Sequence, residues 1–171
     1  MKTTRIIFCA VAAVCLSALA GCSRQQYRLY ENNIGSKVYF VQAVSSPVLE
    51  VSEDDLDESG NVALSIYNAG NNSDNITVRV SVDENACRIY NIEQDADCQV
   101  LPQKYWSLPQ PEFIMDTREN SQVYMPLKLG ISSFRADGLN PEEYILPLTV
   151  FAGSTQNVTF DYKTIYVKLA L

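Results

Sequence analysis

The segment Ile76–Val82 (ITVRVSV) places an apolar residue at every second position, and that period is what most limits the possible folds. Side chains alternate across a pleated strand, so Ile76, Val78, Val80 and Val82 share one face and Thr77, Arg79 and Ser81 the other. Asn61–Asn68 (NVALSIYN) repeats the pattern, with Val62, Leu64 and Ile66 on one face and polar or tyrosine positions opposite. Strands with one apolar face must be covered by another layer, so the chain has to build at least two packed layers of sheet.

Other segments extend the pattern. Lys37–Val44 (KVYFVQAV) reads as the first strand, and Val48–Val51 continues it beyond Pro47. The turn residues Ala69–Asn75 predict an antiparallel hairpin between the two alternating strands. Cys87–Ile92 and Cys98–Leu101 are short apolar runs around the acidic turn Glu93–Asp97. Phe113–Met115, Ser121–Leu129, Glu142–Phe151 and Asn157–Leu171 supply the remaining strands. Sustained helical periodicity is not visible beyond the N-terminus, and Phe134–Leu139 has room for one short helical turn. The expectation is all-β: an immunoglobulin-like antiparallel β-sandwich of about seven to eight strands. Pro126 and Pro147 fall inside strand patterns, where a missing N–H is tolerated at an edge or a bulge, so both predict edge or bulged strands.

Ahead of the strands lies a different texture. Lys2 and Arg5 precede an apolar core, Ile6 to Ala18, which is shorter than the ~20 residues a membrane-spanning helix needs. Leu19-Ala20-Gly21-Cys22 follows, and this ending resembles the bacterial lipobox. The resemblance implies cleavage before Cys22 and a lipid on its thiol. Residues 1–21 are then a lipoprotein signal peptide, 22–35 the lipidated cysteine and a polar tether, and 36–171 one β-sandwich domain. The expected place is the outer membrane, lipid-anchored, on its periplasmic or cell-surface face. The chain has 13 basic and 20 acidic residues, for a net charge of −7, and two of the bases leave with the leader. Nothing supplies the basic face a nucleic-acid partner requires.

Cys9 and Cys15 also belong to the leader, which leaves Cys87 and Cys98. In an exported, oxidising setting an even pair predicts a disulfide; the other reading is two buried thiols on neighbouring strands. The chain contains no histidine, which removes Ser-His-Asp and Cys-His catalysis and histidine-bearing zinc sites. The acids gather at turns (Glu53–Glu58, Glu93–Asp97, Glu142-Glu143), as solvated loop residues do. Asp55-Leu56-Asp57-Glu58-Ser59-Gly60 matches the opening of a calcium loop, yet the twelfth position falls on Ile66 where a bidentate glutamate is needed. A plain turn is expected there. The Asn-x-Ser/Thr triplets at Asn71, Asn75 and Asn157 mark polar stretches only. No catalytic residue, metal or cofactor is predicted, and the chain reads as a non-enzyme.

Laid out as strands, the chain resembles a family of Bacteroidota lipoprotein domains, the domain of unknown function 1735. The likeness is carried by Val38-Tyr39-Phe40, by Ile76–Val82 running into Ile89-Tyr90-Asn91, and by Leu101-Pro102 with Tyr105. It continues through Val123–Leu127, Tyr144-Ile145-Leu146-Pro147-Leu148 and Lys163–Val167. The resemblance implies a β-sandwich module on an exported lipoprotein, one that often precedes a lectin-like or glycoside-hydrolase-like domain in polysaccharide-utilisation systems. This chain ends where the module ends, so no activity of a downstream domain carries over, and the family supplies no catalytic residues to transfer. Its pattern places an aromatic at Tyr105, which makes that ring structural. Trp106, on the opposite face of the strand, then lies near the surface between Pro102 and Pro109. It either packs under the proline-rich loop or offers a sugar-stacking face; Tyr90 is the second candidate ring. The expected role is an accessory glycan-binding or scaffolding module in polysaccharide utilisation. The alternatives are a protein–protein interaction module with no ligand of its own, or a remnant of a larger glycosidase-linked lipoprotein. The expected partners are the membrane, through the lipid, and a polysaccharide, a partner lipoprotein or an outer-membrane transporter.

Overall fold

The computed structural model of the chain describes residues 37–69, 75–115, 122–152 and 162–171. The leader, Cys22, the tether, Asn71 and Asn157 lie outside them. In chain order the strands are β1 (Lys37–Phe40), β2 (Val48–Val51), β3 (Asn61–Ala69), β4 (Ile76–Val82) and β5 (Gln99–Val100). They continue with β6 (Trp106–Ser107), β7 (Glu112–Met115), β8 (Gln122–Leu129), β9 (Tyr144–Ala152) and β10 (Thr164–Leu169). Among the described residues, three α-helices are interspersed: α1 (Val41–Ser45), α2 (Glu84–Gln94) and α3 (Ile131–Ala136).

The first sheet has the order β1-β3-β8-β6; the second runs β2-β10-β9-β4-β7, with β5 added beside β9. Leu64, Ile66, Met125 and Leu127 of the first sheet are buried in one core with Val78, Val80, Leu148, Val150 and Val167 of the second. The β-sandwich expected from the alternation is therefore present. The first sheet is antiparallel throughout, whereas the second is mixed, because β2 pairs with β10 and β5 with β9 in parallel.

Four local expectations are corrected. β3 and β4 do not form a hairpin: β3 sits between β1 and β8, and β4 between β9 and β7. Their apolar faces look at the same core from opposite sides, which alternation alone cannot distinguish from neighbours in one sheet. The first strand ends at Phe40, α1 replaces its second half, and Val48–Val51 belongs to the other sheet.

The third correction is α2, where extended runs were expected. Asp83 caps it, its carboxylate accepting from the N–H groups of Asn85 (3.0 Å) and Ala86 (3.2 Å). It ends at Asp95, which adopts the left-handed conformation at φ +50°. Ala86, Cys87 and Tyr90 face inward, while Ile89 and Ile92 are 41% and 75% exposed. Those outward isoleucines fill the gaps in the helical pattern and make it read as a continuous apolar run.

The fourth concerns Pro147, which lies in β9 with β10 on one side and β4 on the other. Its carbonyl accepts from the Asp83 N–H (3.0 Å), so the ring nitrogen faces the point where β4 turns into α2. The Asp83 carbonyl there already accepts from Cys87 N–H (3.3 Å), and no ladder bond is lost. Pro126 meets the expectation of an edge. β6 pairs with β8 only at Leu129 and Lys128, which leaves the strand open beside Pro126.

Candidate functional site

The chain between β5 and β6 passes from one sheet to the other. β5 is held against β9, and the Leu101 N–H extends that pairing by donating to the Ile145 carbonyl (2.9 Å). Pro102 begins a 3-10 turn, Gln103–Tyr105, and β6 then joins the edge of the first sheet at Leu129. Between this bridge and the end of β4 lies an open groove of about 620 Å³. That is inside the ~300–1,000 Å³ range of small-molecule sites. Val80, Val82, Leu101, Trp106, Leu108 and Pro111 give it apolar walls, and Ser81, Glu84, Gln103 and Ser107 add polar groups.

Tyr105 ends the 3-10 turn and Trp106 opens β6, so the two neighbours do not share a strand as expected, and the Trp106 ring also packs against the core. Tyr105 is 1% exposed, while Trp106 is half-buried at the groove. The Trp106 indole Nε1–H donates to the Leu101 carbonyl at 3.0 Å, which fixes the ring as a wall. Inward, the Tyr105 ring meets Phe134 of α3 edge-on at 5.1 Å. Its hydroxyl donates to Asp137 Oδ2 (2.5 Å), and Lys104 Nζ reaches the same oxygen at 2.7 Å. These two donors, Lys104 foremost, hold the Asp137 carboxyl below the usual carboxylate range. Burial, then the bond to Asp137, pushes the Tyr105 hydroxyl up. The cluster therefore anchors the turn that presents Trp106.

The other predicted residues fall elsewhere. Tyr90 is 9% exposed on the inner side of α2, with its ring centroid 4.9 Å from that of Tyr166, so it presents no face to a ligand. It is a packing residue. Cys87 and Cys98 are buried free thiols and not a bonded pair. Each sulfur points at a different carbonyl, Cys87 Sγ at Cys98 (3.4 Å) and Cys98 Sγ at Glu142 (3.4 Å). The Asn91 side chain brackets the Cys98 backbone between them, donating to its carbonyl (2.8 Å) and accepting from its N–H (3.0 Å). Burial pushes both thiols up from their ordinary values.

The calcium-like segment is a turn. Asp57 Oδ1 accepts from the N–H groups of Ser59 (2.8 Å) and Asn61 (2.9 Å), and Asp55 Oδ2 from the Ser52 N–H (2.8 Å) and hydroxyl (2.6 Å). Sequence reasoning missed Ser81, Glu84 and Gln103 as groove residues. They are spread over some twenty positions, and the one local signal was the cluster of prolines around Trp106.

A two-sheet β-sandwich with a tryptophan-walled groove at the end of one strand is the class of protein that fold and site define. A family model for an N-terminal domain matches residues 30–157, and this chain belongs to that family. Among curated proteins none matches. Among solved structures it is similar to a proposed carbohydrate-binding protein from Bacteroides ovatus, at 18% identity and a TM-score of 0.59. That match covers 78% of this chain and 36% of the other. A two-domain protein of unknown function from Bacteroides fragilis is 10% identical with a TM-score of 0.60, over 87% of this chain and 50% of its own. A multidomain protein from Bacteroides ovatus that includes the domain of unknown function 1735 is 15% identical with a TM-score of 0.53, over 78% and 43%. At these identities the likeness is one of fold. The chain spans about a third to a half of the length of these proteins. The resemblance drawn from the strands holds, in the family match and in this shared fold.

Proposed function

We propose that the chain is an accessory glycan-binding module of an exported lipoprotein, held at the outer membrane by a lipid on Cys22. The observation that carries this reading is the groove: a fixed indole wall beside Ser81, Glu84, Gln103 and Ser107. A pyranose has one face of C–H groups that packs on an indole and a rim of hydroxyls that needs hydrogen-bond partners, and the groove supplies both. Among the described residues Glu84 is the one carboxylate lining it, whereas glycoside hydrolysis ordinarily works with a pair, so binding suits the groove better than catalysis. The fold shared with a proposed carbohydrate-binding protein supports the same reading.

The test is native affinity electrophoresis of the full chain, kept in mild detergent, through gels containing plant, host and microbial polysaccharides. Retardation by at least one of them is expected, and Trp106→Ala should weaken it about tenfold, the equivalent of ~1.4 kcal/mol. Unchanged retardation in Trp106→Ala would place the sugar elsewhere. The anchor is tested separately: Cys22→Ser should move the protein from the membrane to the soluble fraction. A scaffolding role is favoured by one observation, the open edge strand β7 with Ile114 69% exposed. Recovery of a partner crosslinked at Ile114, in the absence of any glycan retardation, would support it.

A further inference from the structure

The outer face of the first sheet carries a band of tyrosines that no part of the groove explains. Tyr39 of β1 stands opposite Tyr67 of β3, and Tyr67 opposite Gln122 of β8. One step along, Ser65 stands opposite Tyr124. The rings of Tyr39 and Tyr67 are 5.7 Å apart, and Tyr162 lies 6.2 Å from Tyr39 on the other side. Tyr124, diagonal to Tyr67, is 67% exposed, and Tyr162 37%. Strands whose inner faces are fully buried need nothing aromatic outside, since each exposed ring forfeits the stabilisation of burial.

The polar groups of this face are held in place. Gln122 Nε2 donates to the Ser65 hydroxyl (2.6 Å) and to the Tyr124 hydroxyl (3.0 Å). The Gln42 amide continues the sheet past the end of β1, donating to the Ala63 carbonyl (3.0 Å) and accepting from the Ser65 N–H (3.1 Å). Charge is distributed just as unevenly. The chain has 20 acidic residues, yet the four strands of this sheet contain none, and their only charged residues are Lys37 and Lys128 at opposite ends. Where it lies on these four strands, an occupant of the band therefore meets rings, hydroxyls and amides and no strand acid to desolvate.

We infer that this band is a second glycan-contacting surface, and that its ligand is an uncharged, soluble polysaccharide chain lying across the sheet on Tyr162, Tyr39, Tyr67 and Tyr124. Neighbouring rings are tilted by 56° and 58°, well beyond the ~25° by which adjacent strands twist, and so do not form a flat plane. A twisted chain in solution can follow them, and a flat crystalline surface cannot. The inference rests on the reading of the domain as a glycan binder, but it places contacts on a different sheet face from the Trp106 groove.

The experiment uses the full chain in mild detergent on native gels containing soluble galactomannan, arabinoxylan or mixed-linkage β-glucan, with crystalline cellulose pull-down alongside. Retardation is expected with at least one soluble polysaccharide and no binding to cellulose. Tyr124→Ala should lower the apparent affinity about tenfold, and Ile92→Ala, on the exposed side of α2 and away from both surfaces, should leave it unchanged. Near-ultraviolet circular dichroism of each variant confirms that the sheet is intact. Retardation abolished by Trp106→Ala and untouched by Tyr124→Ala overturns the inference and leaves the groove standing. The reverse result sustains it and removes the groove. No retardation by any of the three overturns it, and concentration-dependent dimerisation lost in Tyr124→Ala would then assign the band to a second copy of the chain.

Discussion

Asn68 is 2% exposed on the inward side of β3, opposite Val38 of β1, and neither its amide nitrogen nor its amide oxygen has a hydrogen-bond partner. A buried amide without partners carries its desolvation cost uncompensated. Asn68→Leu, nearly the same volume without the polar atoms, should therefore stabilise the fold by about 1–2 kcal/mol. Urea denaturation would show a higher midpoint at unchanged slope; a lower midpoint would mean that the amide makes bonds in solution. Single residues were legible where alternation decides them. The burial of Leu64 and Ile66 follows from the period of two. Tyr105, in contrast, is covered from a 3-10 turn and not from a strand shared with Trp106. Asn68, counted among the polar positions, shares the buried phase of Leu64 and Ile66. Tyr90 was not legible, because whether its ring is covered depends on α2 docking beside Tyr166.

At the scale of elements, α2 lies on the outer side of the second sheet and buries Cys87 and Tyr90 with Cys98 and Ile145. Its cover explains why β9 reads as an unbroken apolar run: Ile145 through Val150 are buried on both faces. The helix is short and its buried stripe narrow, so its N-cap matters. Asp83→Ala leaves the Asn85 and Ala86 N–H groups without a side-chain acceptor and should destabilise by ~1 kcal/mol. Hydrogen exchange should quicken in residues 84–94, with β3 and β8 unaffected; uniform quickening would mean that α2 unfolds only with the whole domain. The helix went unseen in the sequence because Ile89 and Ile92 point outward, which erases the contrast on which a helical period depends.

At the scale of the molecule, the pH response follows from the turns. Hydrogen bonds hold the carboxyls of Glu53, Asp55, Asp57 and Asp137 below their ordinary values. For Glu53 the main donors are Ser132 and Arg135, for Asp57 Asn61, and for Asp137 Lys104. A carboxyl whose folded value is depressed stabilises the fold above its unfolded value, about 4. That stabilisation is lost as pH falls through the folded value. The melting temperature should stay level from pH 7 to about 5 and fall below about 4. Asp57→Asn and Asp137→Asn should each flatten the fall, and a melting temperature unchanged down to pH 3 would contradict the assignment.

What the sequence determined by itself is whatever depends on neighbours in the chain: strands from a period of two, a core from the in-phase Val, Ile and Leu, and the turn at Asp57. Tertiary structure alone decided which strands became neighbours. β3 and β4 have the same pattern and went to different sheets, and β2 left β1 to pair with β10. The groove draws on Val80 to Pro111, and the tyrosine band joins Tyr39 to Tyr162. Alternation specifies that a face must be buried and is silent about which surface buries it. Pairing and packing over long separations settle that, and the ligand-facing surfaces are what those choices leave uncovered.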